Sequence, residues 1–116
     1  MANQFQVTAM MQRPDISVKF PVVTEEFTIY QHDNYVCTGK ISYKDLHVSG
    51  DKLSKTMIMV FASREDYEAY KTDATVRENL DVRDQYCKDN AITFTLLYQE
   101  IDESRNPVTS RVARVS

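Results

Sequence analysis

Tryptophan is absent from this chain of 116 residues, glycine and cysteine occur twice each, and proline occurs three times. Each scarcity closes a class of protein. Two glycines that stand apart, Gly39 and Gly50, cannot build a glycine-rich phosphate loop. Low glycine and proline, with 42% hydrophobic and 27% charged residues, exclude collagen-like, low-complexity and broadly disordered chains. Cys37 and Cys87 are too few for the disulfide framework of a small secreted domain, so both are read as reduced thiols serving as small buried hydrophobes. No apolar run approaches the ~20 residues of a membrane span, and the opening MANQFQVTAM has neither a basic nor an apolar leader region. A cytoplasmic protein without a membrane contact is expected.

What is present describes one α+β domain. Phe5, Val7, Ala9 and Met11 alternate with polar residues, the period of a half-buried strand ending before Pro14. Ser17–Phe20 reads as a short extended piece stopped by Pro21. Residues 26–30 and 35–37 flank the polar cluster Gln31-His32-Asp33-Asn34 and predict a β-hairpin. Gly39 marks a bend before Ile41-Ser42-Tyr43, and Ser49-Gly50-Asp51-Lys52 is a turn signal. The run Thr56–Phe61 is apolar at nearly every position, as in a central strand covered on both faces.

Ser63 followed by Asp66 resembles a capping box and opens a helix carrying Tyr67 and Tyr70. Thr72-Asp73 ends that helix and caps a second, in which Val76, Leu80 and Cys87 share a stripe and Asn90 supplies a left-handed stop. Ile92–Tyr98, β-branched and aromatic, is a strand. The expectation is therefore a mostly antiparallel sheet with one helical layer, residues 64–89, and a strand-helix-strand C-terminal half. Such a layer leaves the other sheet face to be covered by the hairpin or, as favoured here, by another subunit.

The net charge of −3 is unevenly placed. Residues 105–116 hold Arg105, Arg111 and Arg114 and no acid; three of 14 basic residues thus lie in the tail, leaving 11 against 17 acidic residues, a net of −6. The domain is taken as residues 1–104 and the tail as a basic arm. Val108, Val112 and Val115, spaced among the arginines, suit an edge strand on the chain's own sheet or a neighbour's. The arm lacks an aromatic for base stacking and the body is acidic, so nucleic acid is not the expected partner. The candidate partner-binding residues are Arg105, Arg111, Arg114, Val108, Val112, Tyr67 and Tyr70, tyrosine offering contact area with a polar tip.

Catalytic patterns are thin. His32 beside Asp33 and His47 after Asp45 read as solvated histidines. No pair among the two cysteines and two histidines has the two-to-four-residue spacing of structural zinc sites. The acids Glu65, Asp66, Glu68 and Asp73 suit helix starts, and calcium ligation lacks its loop glycine. No metal, cofactor or small molecule is assigned.

Arg13-Pro14-Asp15 with Ser17-Val18 and Phe20, then Phe61-Ala62-Ser63-Arg64-Glu65-Asp66-Tyr67, Arg83 to Tyr86, and Ala91-Ile92 resemble small uncharacterised proteins of tailed, particularly marine, bacteriophages. Asn90-Ala91-Ile92 departs from the Asn-Gly-Ile of that pattern. The resemblance implies a phage accessory or virion component, in host cytoplasm or virion, without a catalytic site to transfer. Residues 56–101 also resemble half of a dimeric ferredoxin-like α+β barrel, by fold analogy. The leading expectation is a non-enzymatic assembly protein that self-associates or docks on other protein subunits through its sheet face and arm. The alternative is a small dimeric ferredoxin-like enzyme or ligand-binding module with a His- and Tyr-lined pocket.

Overall fold

The alternation in residues 5–11 has a direct outcome: Phe5, Val7, Ala9 and Met11 are all buried on one face of strand β1 (Gln4–Gln12). The structure is a computed structural model that describes residues 3–113. Strand β2 (Ile41–Val48) joins β3 (Ser54–Phe61) through the expected turn, closed by Ser49 N–H to the Ser54 carbonyl at 2.9 Å. Helices α2 (Arg64–Thr72) and α3 (Ala74–Asp89) precede β4 (Thr93–Ile101), and β5 (Val112–Ala113) closes an antiparallel sheet ordered β2-β3-β1-β4-β5. The α+β, antiparallel expectation holds.

Both caps read from sequence are made. Ser63 Oγ accepts from Asp66 N–H at 3.1 Å, and the Asp73 carboxylate accepts from Thr75 and Val76 N–H at 2.9 and 3.4 Å. At the end of α3, Ile92 N–H donates to the Cys87 carbonyl at 2.8 Å. This is the six-to-one bond of a Schellman motif, and its left-handed residue is Ala91, φ 55°, rather than Asn90, φ −110°.

The predicted hairpin over residues 26–37 does not form. Residues Glu25–Gln31 are a helix, α1, continued by a π-helical turn, His32–Val36. Thr24 caps it by accepting from Phe27 N–H at 3.1 Å, Glu25 and Glu26 complement the dipole, and Phe27, Gln31 and Tyr35 are buried at helical spacing. The strand preference of Phe-Thr-Ile-Tyr yields to this tertiary burial. Helix is thus not confined to residues 64–89. Ser17–Phe20 is likewise no strand: the Asp15 carboxylate takes Ser17 N–H at 2.8 Å and bends the chain there. Cys37, expected inside, is exposed after the π-helical turn, whereas Cys87 is buried.

All three helices lie on the sheet face bearing Phe5, Val7, Phe61 and Leu96, where the main core forms. Aromatic rings dominate it; Tyr67 sits 5.4 Å from Phe5 and 5.2 Å from Phe61, ring to ring. Among the described residues no helix covers the outer face. Val60 and Ile101 are buried at one end of it, where Arg105 lies over the Tyr43 ring at 4.0 Å, and Met10 is exposed toward the other. Strand β3 is therefore central but, apart from Val60 and Phe61, only half-buried, which limits the expected two-sided cover to its last residues.

Candidate ligand cleft

On the helix side of the sheet a cleft of about 1010 Å³ opens between α3 and the segment running from Pro21 through α1. Its floor is apolar and rich in methionine: Met57 and Met59 from β3, Val7, Ala9 and Met11 from β1, Leu96 from β4. Phe27 and Leu80 form facing walls, and Val22, Val23, Leu46 and Val82, all exposed, edge the mouth. Unbranched methionine adapts to varied apolar shapes. The volume matches the upper end of the ~300–1,000 Å³ usual for small-molecule sites.

The charged lining is one-sided in a chain of negative net charge. Lys44, Lys55, Lys71, Arg77 and Arg83 line it with a single acid, Asp45, which takes the strand phase of the opposite sheet face. Lys71, Arg77 and Arg83 are engaged with Glu68, Asp81 and Asp84 at 3.1, 2.9 and 3.2 Å. Lys44 and Lys55 have no carboxylate ion pair among the described residues; Lys44 donates to Gln31 Oε1, and Lys55 lies 5.7 Å from the Phe20 ring. Partial burial of the Lys44 ammonium pushes its pKa down, so a neighbouring anion would be favoured there.

Behind the cleft is a polar hub. Gln31 Nε2 donates to Tyr70 Oη at 2.8 Å, and the hydroxyls of Tyr30 and Tyr35 both donate to Asp73 Oδ2 at 2.6 Å. Burial alone would raise Asp73, but the two phenols and the capped N–H groups outweigh it and hold the carboxyl below its ordinary value. Tyr30 is raised by its bond to Asp73, Tyr35 by burial and then Asp73, and Tyr70 by burial. These phenols stay protonated donors.

The residues singled out by sequence are dispersed. Tyr67 and Tyr70 are buried in the aromatic core, with Tyr67 Oη 3.1 Å from Tyr98 Oη, so they line the cleft and are not available as an exposed docking patch. The tail is not a free arm over its described part. Ile101 bridges to Pro107, Val108 N–H donates to the Glu100 carbonyl at 2.9 Å, and Val112 pairs with Tyr98 in β5, the edge strand on the chain's own sheet. Arg105 is spent on Tyr43; Arg111, Val108 and Val112 are exposed; Arg114 and Val115 lie outside the described residues. His32 and His47 are both exposed, and neither lines the cleft.

Sequence reasoning missed Lys44, Lys55, Met57 and Met59 as a set. Lys55 did carry a signal, since it occupies the same strand phase as inward-facing Met57, Met59 and Phe61. No protein-family model, curated protein or solved structure matches the chain.

Proposed function

We propose that the protein is a non-enzymatic binding module that holds an elongated apolar molecule with an anionic end in the cleft between sheet and helices. The observation that carries this reading is the pairing of a methionine floor with five basic residues against one acid. Burial of an alkyl or aryl body on that floor is favourable at about 25 cal/mol per Å². Lys44 and Lys55, without a carboxylate ion pair among the described residues, lie four positions apart along the β2–β3 ladder and offer the anionic end two alternative anchors. The exposed positions of His32 and His47 favour binding over acid-base catalysis, because they leave the cleft without an imidazole.

Displacement of a fluorescent aryl sulfonate by a medium-chain fatty acid tests the reading. Saturable one-to-one binding is expected, weakened about tenfold or more, 1.4 kcal/mol, in K44A/K55A. The alcohol of the same chain length should bind less tightly than the acid. Absence of saturable binding would overturn the proposal, and equal affinity for acid and alcohol would remove its electrostatic half.

A second reading, assembly through self-association, is favoured by a separate observation. The outer face presents exposed Met10 and half-buried Ile58 and Leu97, with no helix over them among the described residues. A second copy laid face to face would cover them. The element order β-α-β-β-α-β with β1 between β3 and β4 supports the ferredoxin-like likeness, in which such pairing is expected.

A further inference from the structure

The π-helical turn at the end of α1 brings together three side chains that the cleft does not use. Along an ordinary α-helix, residues five apart point about 140° away from each other, at 3.6 residues per turn. Here the backbone widens, and Cys37 N–H donates to the His32 carbonyl at 2.8 Å, an i to i+5 bond. Residue 37 therefore follows over residue 32. His32 Nδ1 lies 3.4 Å from Cys37 Sγ and 3.4 Å from Asp33 Oδ1, and the three donor atoms fall within 4.8 Å of one another.

These separations have a specific chemical meaning. Zinc bonds of about 2.3 Å to sulfur and about 2.0–2.2 Å to nitrogen and oxygen, set at tetrahedral angles, require an N···S edge near ~3.5 Å and an N···O edge near ~3.4 Å. Both edges that share Nδ1 have these lengths; Sγ also lies 3.7 Å from Nε2, over the ring, so binding turns the exposed imidazole until the Nδ1 lone pair meets the sulfur and the carboxylate. One thiol, one imidazole and one carboxylate form a borderline-soft set suited to zinc and its neighbours, whereas calcium or magnesium would need several more oxygens. Exposure of all three residues leaves the fourth position open to water and gives the ion a direct path in. Insertions of π-helix are also enriched at functional sites.

We propose that His32, Asp33 and Cys37 form a surface site for a divalent transition metal, with zinc as the fitting ion. His32 binds through Nδ1, Asp33 through a carboxylate oxygen, Cys37 as thiolate, and a water completes the tetrahedron. Binding releases the Cys37 thiol proton to solvent, so affinity falls as pH is lowered. The site is independent of the cleft, and the spacing that argued against zinc in the sequence is supplied by the wider helical turn.

The probe is cobalt(II) added to the reduced full-length protein. The expected result is a one-to-one titration that develops the near-ultraviolet thiolate-to-cobalt charge-transfer band, reversed by zinc. C37S should abolish the band, H32A should weaken binding at least tenfold, and C87A, in the core beside Met11 and Ile92, should leave the titration unchanged, since Cys87 is 2% exposed. The substituted surface positions lie outside the core, and unchanged circular dichroism checks the fold. A missing band at excess cobalt, or a band that persists in C37S, overturns the site.

Discussion

Ala91 illustrates how one position can carry strain that its neighbours define. Its φ of 55° is left-handed, a region that costs an L-residue about 1–2 kcal/mol and glycine almost nothing. The Schellman bond from Ile92 to Cys87 and the burial of Ile92 fix the conformation, so alanine accepts it. The variant A91G should raise unfolding stability by about 0.5–1 kcal/mol, the relief of strain exceeding the added flexibility of the unfolded chain. Urea denaturation would show this as a higher midpoint at constant slope. A lower midpoint would mean that the left-handed turn is not where the strain lies.

At the scale of elements, Asp73 ties three helical segments together. It caps α3 while accepting from Tyr30 of α1 and Tyr35 of the π-helical turn. Because its native pKa lies below the ordinary 3.8, its contribution is fully present above that value. As pH falls through the lower native value, the unfolded chain takes the proton first and the contribution is lost. The raised tyrosines act at the other end: their contribution holds below their ordinary 10.0 and is lost as pH rises above it. In D73N, which keeps a capping oxygen, stability measured from about pH 7 down to about pH 2 should lose part of its acid-dependent fall. An acid limb identical to that of the parent chain would assign the sensitivity to other carboxylates.

The same elements show what could be read from the chain alone. The alternation of β1, the turn at 49–52, the caps Ser63 and Asp73 and the strand around Phe94 are local signals, and local chemistry decided them. Residues 25–36 failed because Phe27, Ile29, Tyr30 and Tyr35 suit a strand as well as a helix, and only contact with Phe61 and Tyr70 across the fold selects the helix. The Thr24-Glu25-Glu26 start was a legible counter-signal. The cleft was not legible as a whole, since its floor, walls and cations come from separated segments joined by the sheet register. The trio at His32, Asp33 and Cys37 depended on a π-helical turn that no spacing rule for zinc anticipates.

At the scale of the whole molecule, the outer sheet face carries no helix among the described residues. If a second copy covers it, a charge at its centre must be costly, because Ile58 lies beside Thr8 and across from Asp45 in the register. The variant I58E should convert a dimer to a monomer by light scattering while leaving the circular dichroism unchanged. A parent chain that is monomeric at high concentration removes self-association through this face. Truncation after Glu103 has a different expected outcome from the loss of a free arm. It strips β5 and the Pro107 bridge from β4, exposing that strand's edge.

The position of β1 also sets an order of events during synthesis. Gln4 pairs with Ile101, so the first strand made is completed on one side by the last long one. Contacts of such sequence separation slow folding. Forty residues separate Phe61 from Ile101, the ends of its two partner strands, and a ribosome working at about 5–20 residues per second needs roughly 2–8 s to supply them. Until they are supplied, any pairing of β1 with β3 leaves the other hydrogen-bonding edge of β1 open at what becomes the middle of the sheet. Residues 25–36, made before β3, lie over the same apolar face in the finished fold and would be the first cover available to the unfinished sheet.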